Sequence, residues 1–192
     1  QHTFAYFFAK DFIGSYNDFK QRIDEIQSVI NIKGLDEQKQ NIINKLSYIN
    51  IITSLDTFIC DIILTKIIQD EESFNNFFNS IPPCKKKDEM TKLKEDNLVA
   101  QWEQKVIEYV MRTSYSNIDT IKDILKELFK VSIIDTNGKM KKHFYYRNLL
   151  AHRNGRKKDG GYINITNEEL KSLITDTQSI AKQIQTKIKP EH

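Results

Sequence analysis

Glycine, proline and cysteine are scarce in this chain of 192 residues, at 6, 3 and 2. So few turn-forming residues effectively exclude an all-β sandwich, which needs turns at short, regular intervals. Two cysteines, Cys60 and Cys84, cannot make a disulfide framework, and nothing else points to secretion. Long apolar runs are missing too. The most apolar stretch, Ile49 to Ile68, is broken by Asp56, Asp61 and Lys66, whereas a membrane span needs about 20 uninterrupted apolar residues. The Phe4 to Ala9 run is too short for a signal-peptide core and has no basic flank before it. The chain reads as cytoplasmic. Its first residue is Gln, which suits a processed or excised chain, and Glu191-His192 reads as an engineered tail.

What remains is a globular balance, 39% hydrophobic and 29% charged, in a length that suits one domain over residues 1–192. Helical periodicity dominates. Phe12, Tyr16, Phe19, Ile23, Ile26 and Ile30 mark an amphipathic helix that stops near Gly34. Asp36 is placed to cap a second, long helix running through Ile42, Leu46, Ile49 and Phe58 towards Ile68. A short helix around Phe74 to Phe78 meets Pro82-Pro83, and Lys85-Lys86-Lys87 reads as an exposed connection. A third long helix is expected from Thr91 to Met111, with Leu98, Trp102, Val106 and Tyr109 on its buried stripe. Ser116 or Asn117 starts another, through Ile121, Leu125 and Phe129. After a turn at Asp135 to Gly138 comes a helix from Lys141 to His152. A Gly-rich basic loop follows to Gly161, then a brief extended stretch, Tyr162 to Ile165. Thr166 and Glu169 form a capping box for the last helix, which ends before Pro190. The expected fold is an all-α bundle of five to seven helices.

Charge is unevenly placed. The net charge is +3, yet Lys139 to Lys158 holds eight basic residues and no acidic one, leaving the rest of the chain at −5. The chain prefers Lys to Arg by 24 to 5, but Arg147, Arg153 and Arg156 fall within ten residues. Arg is favoured where a planar fork must hold phosphate oxygens. A localised anion site fits this pattern, as does a solvated basic loop.

The informative stretch is Tyr146-Arg147-Asn148-Leu149-Leu150-Ala151-His152-Arg153-Asn154-Gly155. On a helix with Arg147 at zero, Asn148 falls at about 100° and His152 at about 140°, while Leu149, Tyr146 and Leu150 fall at about 200–300°. One face packs inward and the opposite arc presents Arg, Asn and His around a small Ala. The arc is wide, so one copy holds Arg147 and His152 loosely, and two copies across a two-fold axis could pair them in one cleft. These side chains suit cleavage of RNA by its own 2′-hydroxyl, which needs proton transfer and a cation on the phosphorane oxygens. Imidazole moves protons near neutral pH, Arg147 supplies fixed charge, and Asn148 can orient the imidazole or donate to phosphate. The surrounding positive charge should favour neutral, base-competent His152, and bound phosphate would push the other way. No metal or other cofactor is required.

This segment resembles the signature of the HEPN superfamily (higher eukaryotes and prokaryotes nucleotide-binding domain), in which an Arg, commonly followed by a polar residue such as Asn, is separated from a His by four to six residues. Here it reads R-N-L-L-A-H, a pattern expected by chance only about 0.008 times in this composition. The resemblance implies an all-α, metal-independent endoribonuclease, homodimeric with a composite site, of the kind found in toxin–antitoxin, abortive-infection and phage-defence systems. An antitoxin or sensor partner would then accompany it. It implies catalytic roles for Arg147, Asn148 and His152. It further suggests an acidic partner on an earlier helix, Asp56 or Asp61, which otherwise read as helix-surface carboxylates. Lys142, Arg153, Arg156, Lys157 and Lys158 are the expected RNA contacts.

Other side chains carry weaker signals. His143 reads as a surface or loop-proximal histidine, or as an RNA contact, with no partners at zinc-ligand spacing. Cys60 reads as core, and the lysines after Cys84 could lower its pKa. Phe144, Tyr145 and Tyr146 suit core or a dimer interface, with base stacking as the alternative. Two further functions compete with the nuclease: a HEPN-like module that dimerises and holds RNA, a nucleotide or a partner without cutting, and an unrelated helical interaction domain.

Overall fold

A computed structural model describes residues 11–188; Phe4 to Ala9 and Glu191-His192 lie outside them. The described residues form eight α-helices: α1 (Phe12–Ile30), α2 (Glu37–Gln69), α3 (Glu71–Ser80), α4 (Lys85–Glu95), α5 (Val99–Arg112), α6 (Ile118–Phe129), α7 (Lys139–Arg153) and α8 (Asn167–Lys187). The fold is all-α, as the periodicity indicates. Helix α2 is its axis, about 50 Å long at 1.5 Å per residue. Ile51, Ile52, Leu55, Ile59, Ile62 and Ile63 are each at most 1% exposed, because α1, α3, α5, α6, α7 and α8 all pack against α2. A helix apolar on nearly every side is stable only when surrounded in this way.

Three of the N-caps are those read from the sequence. Asp36 accepts from the Lys39 N–H at 2.8 Å, Asn117 starts α6, and Thr166 and Glu169 close their capping box at 3.1 and 3.2 Å. Each such cap contributes about 1 kcal/mol.

Two expectations fail between residues 85 and 111. The single helix from Thr91 to Met111 is two helices. Asn97 adopts a left-handed φ of 57°, and the Leu98 N–H reaches back to the Leu93 carbonyl at 3.0 Å, which closes α4 in a Schellman turn. That break accounts for the eighth helix. Leu98 leaves the expected stripe and is 42% exposed, while Trp102 and Val106 stay buried. Nor is Lys85 to Lys87 a connection, for it forms the first turn of α4. The Lys87 ammonium donates to the carbonyls of Phe78 and Asn79 and sits 4.3 Å from the Phe78 ring centroid, so it closes the C-terminus of α3.

The segment after α7 is a tight antiparallel return. Asn154 and Gly155 take left-handed φ values of 51° and 81°, Arg156 bridges to Tyr162, and the Ile163 N–H donates to the Gly155 carbonyl at 2.9 Å. A Cβ on Gly155 would lie 3.3 Å from a Leu150 methyl, so glycine serves both the conformation and the approach. Ile163 and Ile165 re-enter the core.

Candidate active site

Helix α7 carries the motif with its apolar side inward: Phe144, Leu149 and Leu150 are buried. Its outward side meets α2 and the turn between α5 and α6 around a cavity of about 610 Å³, lined by Asp56, Met111, Arg112, Thr113, Ser114, Ser116, Arg147, Asn148 and His152. One copy of the chain therefore brings Arg147, Asn148 and His152 to a single concavity, despite their spread around the helix. His152 and Asn148 are exposed and Arg147 is half-buried. The Arg147 Nη1 donates to the Asn148 side-chain oxygen at 3.1 Å, so Asn148 engages the guanidinium rather than the imidazole. The Arg147 Nε is buried without a partner among the described residues.

The acidic neighbour is Asp56. It lines this cavity and accepts from the Tyr115 N–H. Burial pushes its carboxyl above the ordinary aspartate range, opposed by the Tyr115 N–H and by the charge of Arg147. Asp61, one turn further along α2, does not line the cavity.

Sequence reasoning missed the opposite wall. Tyr115 is fully buried and its O–H donates to the Val110 carbonyl at 3.1 Å. Its N–H is held by Asp56, so the extended turn is pinned at its centre and the alternating residues Ser114 and Ser116 face outward. Their hydroxyls lie 2.7 Å apart. Arg112, at the end of α5, adds a second guanidinium to the lining. No motif marks these residues, because only the fold sets residues 112–116 against α7.

The expected RNA contacts divide. Arg153, Arg156, Lys157 and Lys158, with Gly160, line a separate cavity of about 450 Å³. Lys142 lines neither cavity; it is exposed and lies 5.1 Å from the Tyr146 ring centroid. Of the three adjoining aromatics, Phe144 is core, Tyr145 is 49% exposed and Tyr146 packs partly against the core.

His143 is not a surface residue. It is 6% exposed, with Nδ1 2.7 Å from the Tyr48 hydroxyl and Nε2 3.0 Å from Asp176. Burial pushes its pKa down, partly offset by Asp176, and burial pushes the Tyr48 phenol up. The consistent assignment is a neutral ring that accepts from Tyr48 and donates to Asp176. Cys60 is half-buried, its thiol pushed up to about 12 mainly by burial. Cys84 is exposed ahead of α4. Among the described residues no three His, Cys, Asp or Glu side chains gather as a metal-ligand group, and no helix is long and apolar enough to cross a membrane.

Fold and motif geometry together define a HEPN-type helical domain. The chain belongs to the RiboL-PSP-HEPN family, whose model matches residues 17–190. Searches of curated proteins and of solved structures each give no significant match.

Proposed function

We propose that this domain is an endoribonuclease that cleaves RNA by attack of its own 2′-hydroxyl, without a metal. The observation that carries this reading is the convergence of Arg147, Asn148 and His152 on one open cavity beside Arg112 and two serine hydroxyls. The scissile phosphate enters between the two guanidiniums, which stabilise charge developing on the phosphorane oxygens. Asn148 holds the Arg147 fork in place. Asp56 draws Arg147 towards α2 and, through Tyr115, fixes the opposite wall; it is a positioning residue.

The reaction needs two proton transfers: one from the attacking 2′-hydroxyl, one to the departing 5′-oxygen. Each chain supplies one imidazole to the cavity. A homodimer with its α7 helices facing supplies two, one as base and one as acid. Tyr145, about one turn from Asn148 on the same side of α7, and Met111 on the rim are both large apolar residues about half-exposed, as a contact between copies would use. Attack on phosphorus then expels the 5′-oxygen, leaving a 2′,3′-cyclic phosphate upstream and a 5′-hydroxyl downstream. Such an activity would serve a toxin or anti-phage effector held in check by an antitoxin or sensor, in the cytoplasm.

Incubation of the protein with RNA in EDTA tests this. Fragments with 2′,3′-cyclic ends are expected, and a 2′-O-methyl group at the cut position should block the cut. Cleavage abolished by EDTA, or DNA cut to 5′-phosphate products, overturns the mechanism. RNA bound but left whole makes the non-cutting HEPN module the better reading.

A further inference from the structure

The basic window is two different structures. At the start of α7 its charges are spent within the fold: Lys139 pairs with Asp176 at 3.3 Å, Lys141 with Asp119 at 2.9 Å, and Lys142 lies over Tyr146. Arg153, the last residue of α7, and Arg156, Lys157 and Lys158 beyond it line the second cavity, and none has an ion pair or side-chain hydrogen bond among the described residues. The loop contains a single carboxylate, Asp159, and it accepts from the Gly161 N–H at 3.0 Å.

These four cations are held near one another by backbone. The Arg156 N–H donates to the Arg153 carbonyl at 3.0 Å, Lys157 to Gly161 at 2.7 Å, and Gly160 to Lys157 at 3.2 Å. Four like charges around one concavity repel unless an anion joins them. A phosphodiester strand carries one charge per nucleotide, so a protein that tracks it spreads its cations along a groove. A terminal phosphate carries nearly two charges at neutral pH, and a triphosphate end carries more in a similar space. Concentrated charge in a pocket matches the second kind of anion.

We propose that this cavity is a second anion site that binds a terminal phosphate cluster, the mono- to triphosphate end of an RNA or of a free nucleotide. Binding there does not depend on the cleavage reading, but its use does. His152 and Arg153 are successive residues at the end of α7, side chains about 100° apart, one lining each cavity. An RNA whose 5′ end occupies the second cavity places a phosphodiester only a few nucleotides away in the first.

The test measures binding at fixed ionic strength with the full chain carrying His152→Ala, so that nothing is cut. One RNA sequence is prepared with a 5′-triphosphate, a 5′-monophosphate or a 5′-hydroxyl, and inorganic tripolyphosphate and ATP serve as competitors. At least tenfold tighter binding of the triphosphorylated RNA is expected, with tripolyphosphate competing. The double variant Arg156→Ala/Lys158→Ala should erase that preference while weakening the 5′-hydroxyl RNA far less. If ATP and tripolyphosphate bind and the RNA 5′ end makes no difference, the cluster comes from a free nucleotide and the site stands. Equal binding of all three RNAs with no binding of tripolyphosphate overturns it, as does tripolyphosphate binding unchanged in the double variant. Wild-type protein that leaves RNA whole but keeps the 5′ preference would sink the nuclease reading alone.

Discussion

Two histidines stand on α7, two and a half turns apart, and the fold treats them oppositely. His143 is enclosed by α2 and α8 with both ring nitrogens engaged. His152 is exposed on the wall of a cavity. A buried, fully bonded imidazole is held in one tautomer and cannot exchange its proton with a substrate, so His143 spends its chemistry on joining three helices. An exposed imidazole in a cationic cleft spends nothing on the fold and is free for proton transfer. The residue type is the same; the partners decide the role.

The largest effect should separate them outright. His152→Ala is expected to lower RNA cleavage about 10²–10⁴-fold, the usual worth of positioned proton transfer, with no change in thermal melting. His143→Ala should do the reverse in kind, lowering the melting temperature first. Assays of both variants for cleavage and melting check this. Full activity of His152→Ala would remove it from the chemistry, and an unchanged melt for His143→Ala would remove the clamp.

Arg147→Lys comes next. A lysine keeps the charge but loses the planar fork that Asn148 engages, so cleavage should drop about 10²-fold, within the range for a lost oxyanion donor. Arg112→Lys should cost less, because that guanidinium is exposed and, among the described residues, no Asn holds it in place. If Arg112→Lys proves the more damaging, the phosphate lies against the α5–α6 turn rather than against α7.

The histidine contrast also marks how far a sequence can be read. The helix and its polar arc are legible, because they depend on residues within two turns. The meeting of Arg147 and His152 at one cavity within a single copy is not, since it depends on the walls that α2 and the α5–α6 turn supply. Caps at Asp36, Asn117 and Thr166 were legible because they too are local. The partners of His143 were not: Tyr48 and Asp176 are remote in sequence, and only the packing of α2 and α8 on α7 brings them together. Arg112, Ser114 and Ser116 were hidden likewise. The break at Asn97 was missed on different grounds, since apolar spacing runs on through it and the stop lies in one left-handed residue.

Stability should follow the buried histidine. The folded-state pKa of His143 is depressed below the ordinary histidine value, so the unfolded chain takes up the proton first as pH falls. The contribution is fully present above about pH 6.5 and is lost as pH drops towards the folded value. Tyr48→Phe leaves the ring nitrogen without its donor and should cost about 1–3 kcal/mol, or several degrees in the melt. Denaturant unfolding at pH 7.5 and pH 5.5 checks both points. A protein more stable at pH 5.5 than at pH 7.5, with that gain absent from His143→Ala, would contradict a neutral His143.

The smallest effect concerns the carboxylate that joins the two walls of the cavity. Burial raises the pKa of Asp56, so ionising it costs stability as pH rises from the ordinary aspartate range through the folded value, and that cost persists at neutral pH. Asp56→Asn removes the charge to be desolvated, and its side-chain oxygen still accepts from the Tyr115 N–H. The melting temperature at pH 7 should therefore hold or rise by a few degrees, equivalent to about 1 kcal/mol at most. The advantage should shrink at acid pH, where Asp56 itself is protonated. Cleavage should still fall several-fold, since Arg147 loses the charge that draws it towards α2. Restoration by Asp56→Glu is not expected, because the longer side chain displaces the turn at Tyr115. A lower melting temperature for Asp56→Asn at pH 7 would mean that attraction to Arg147 outweighs burial, making the pair a stabilising element rather than one held for position.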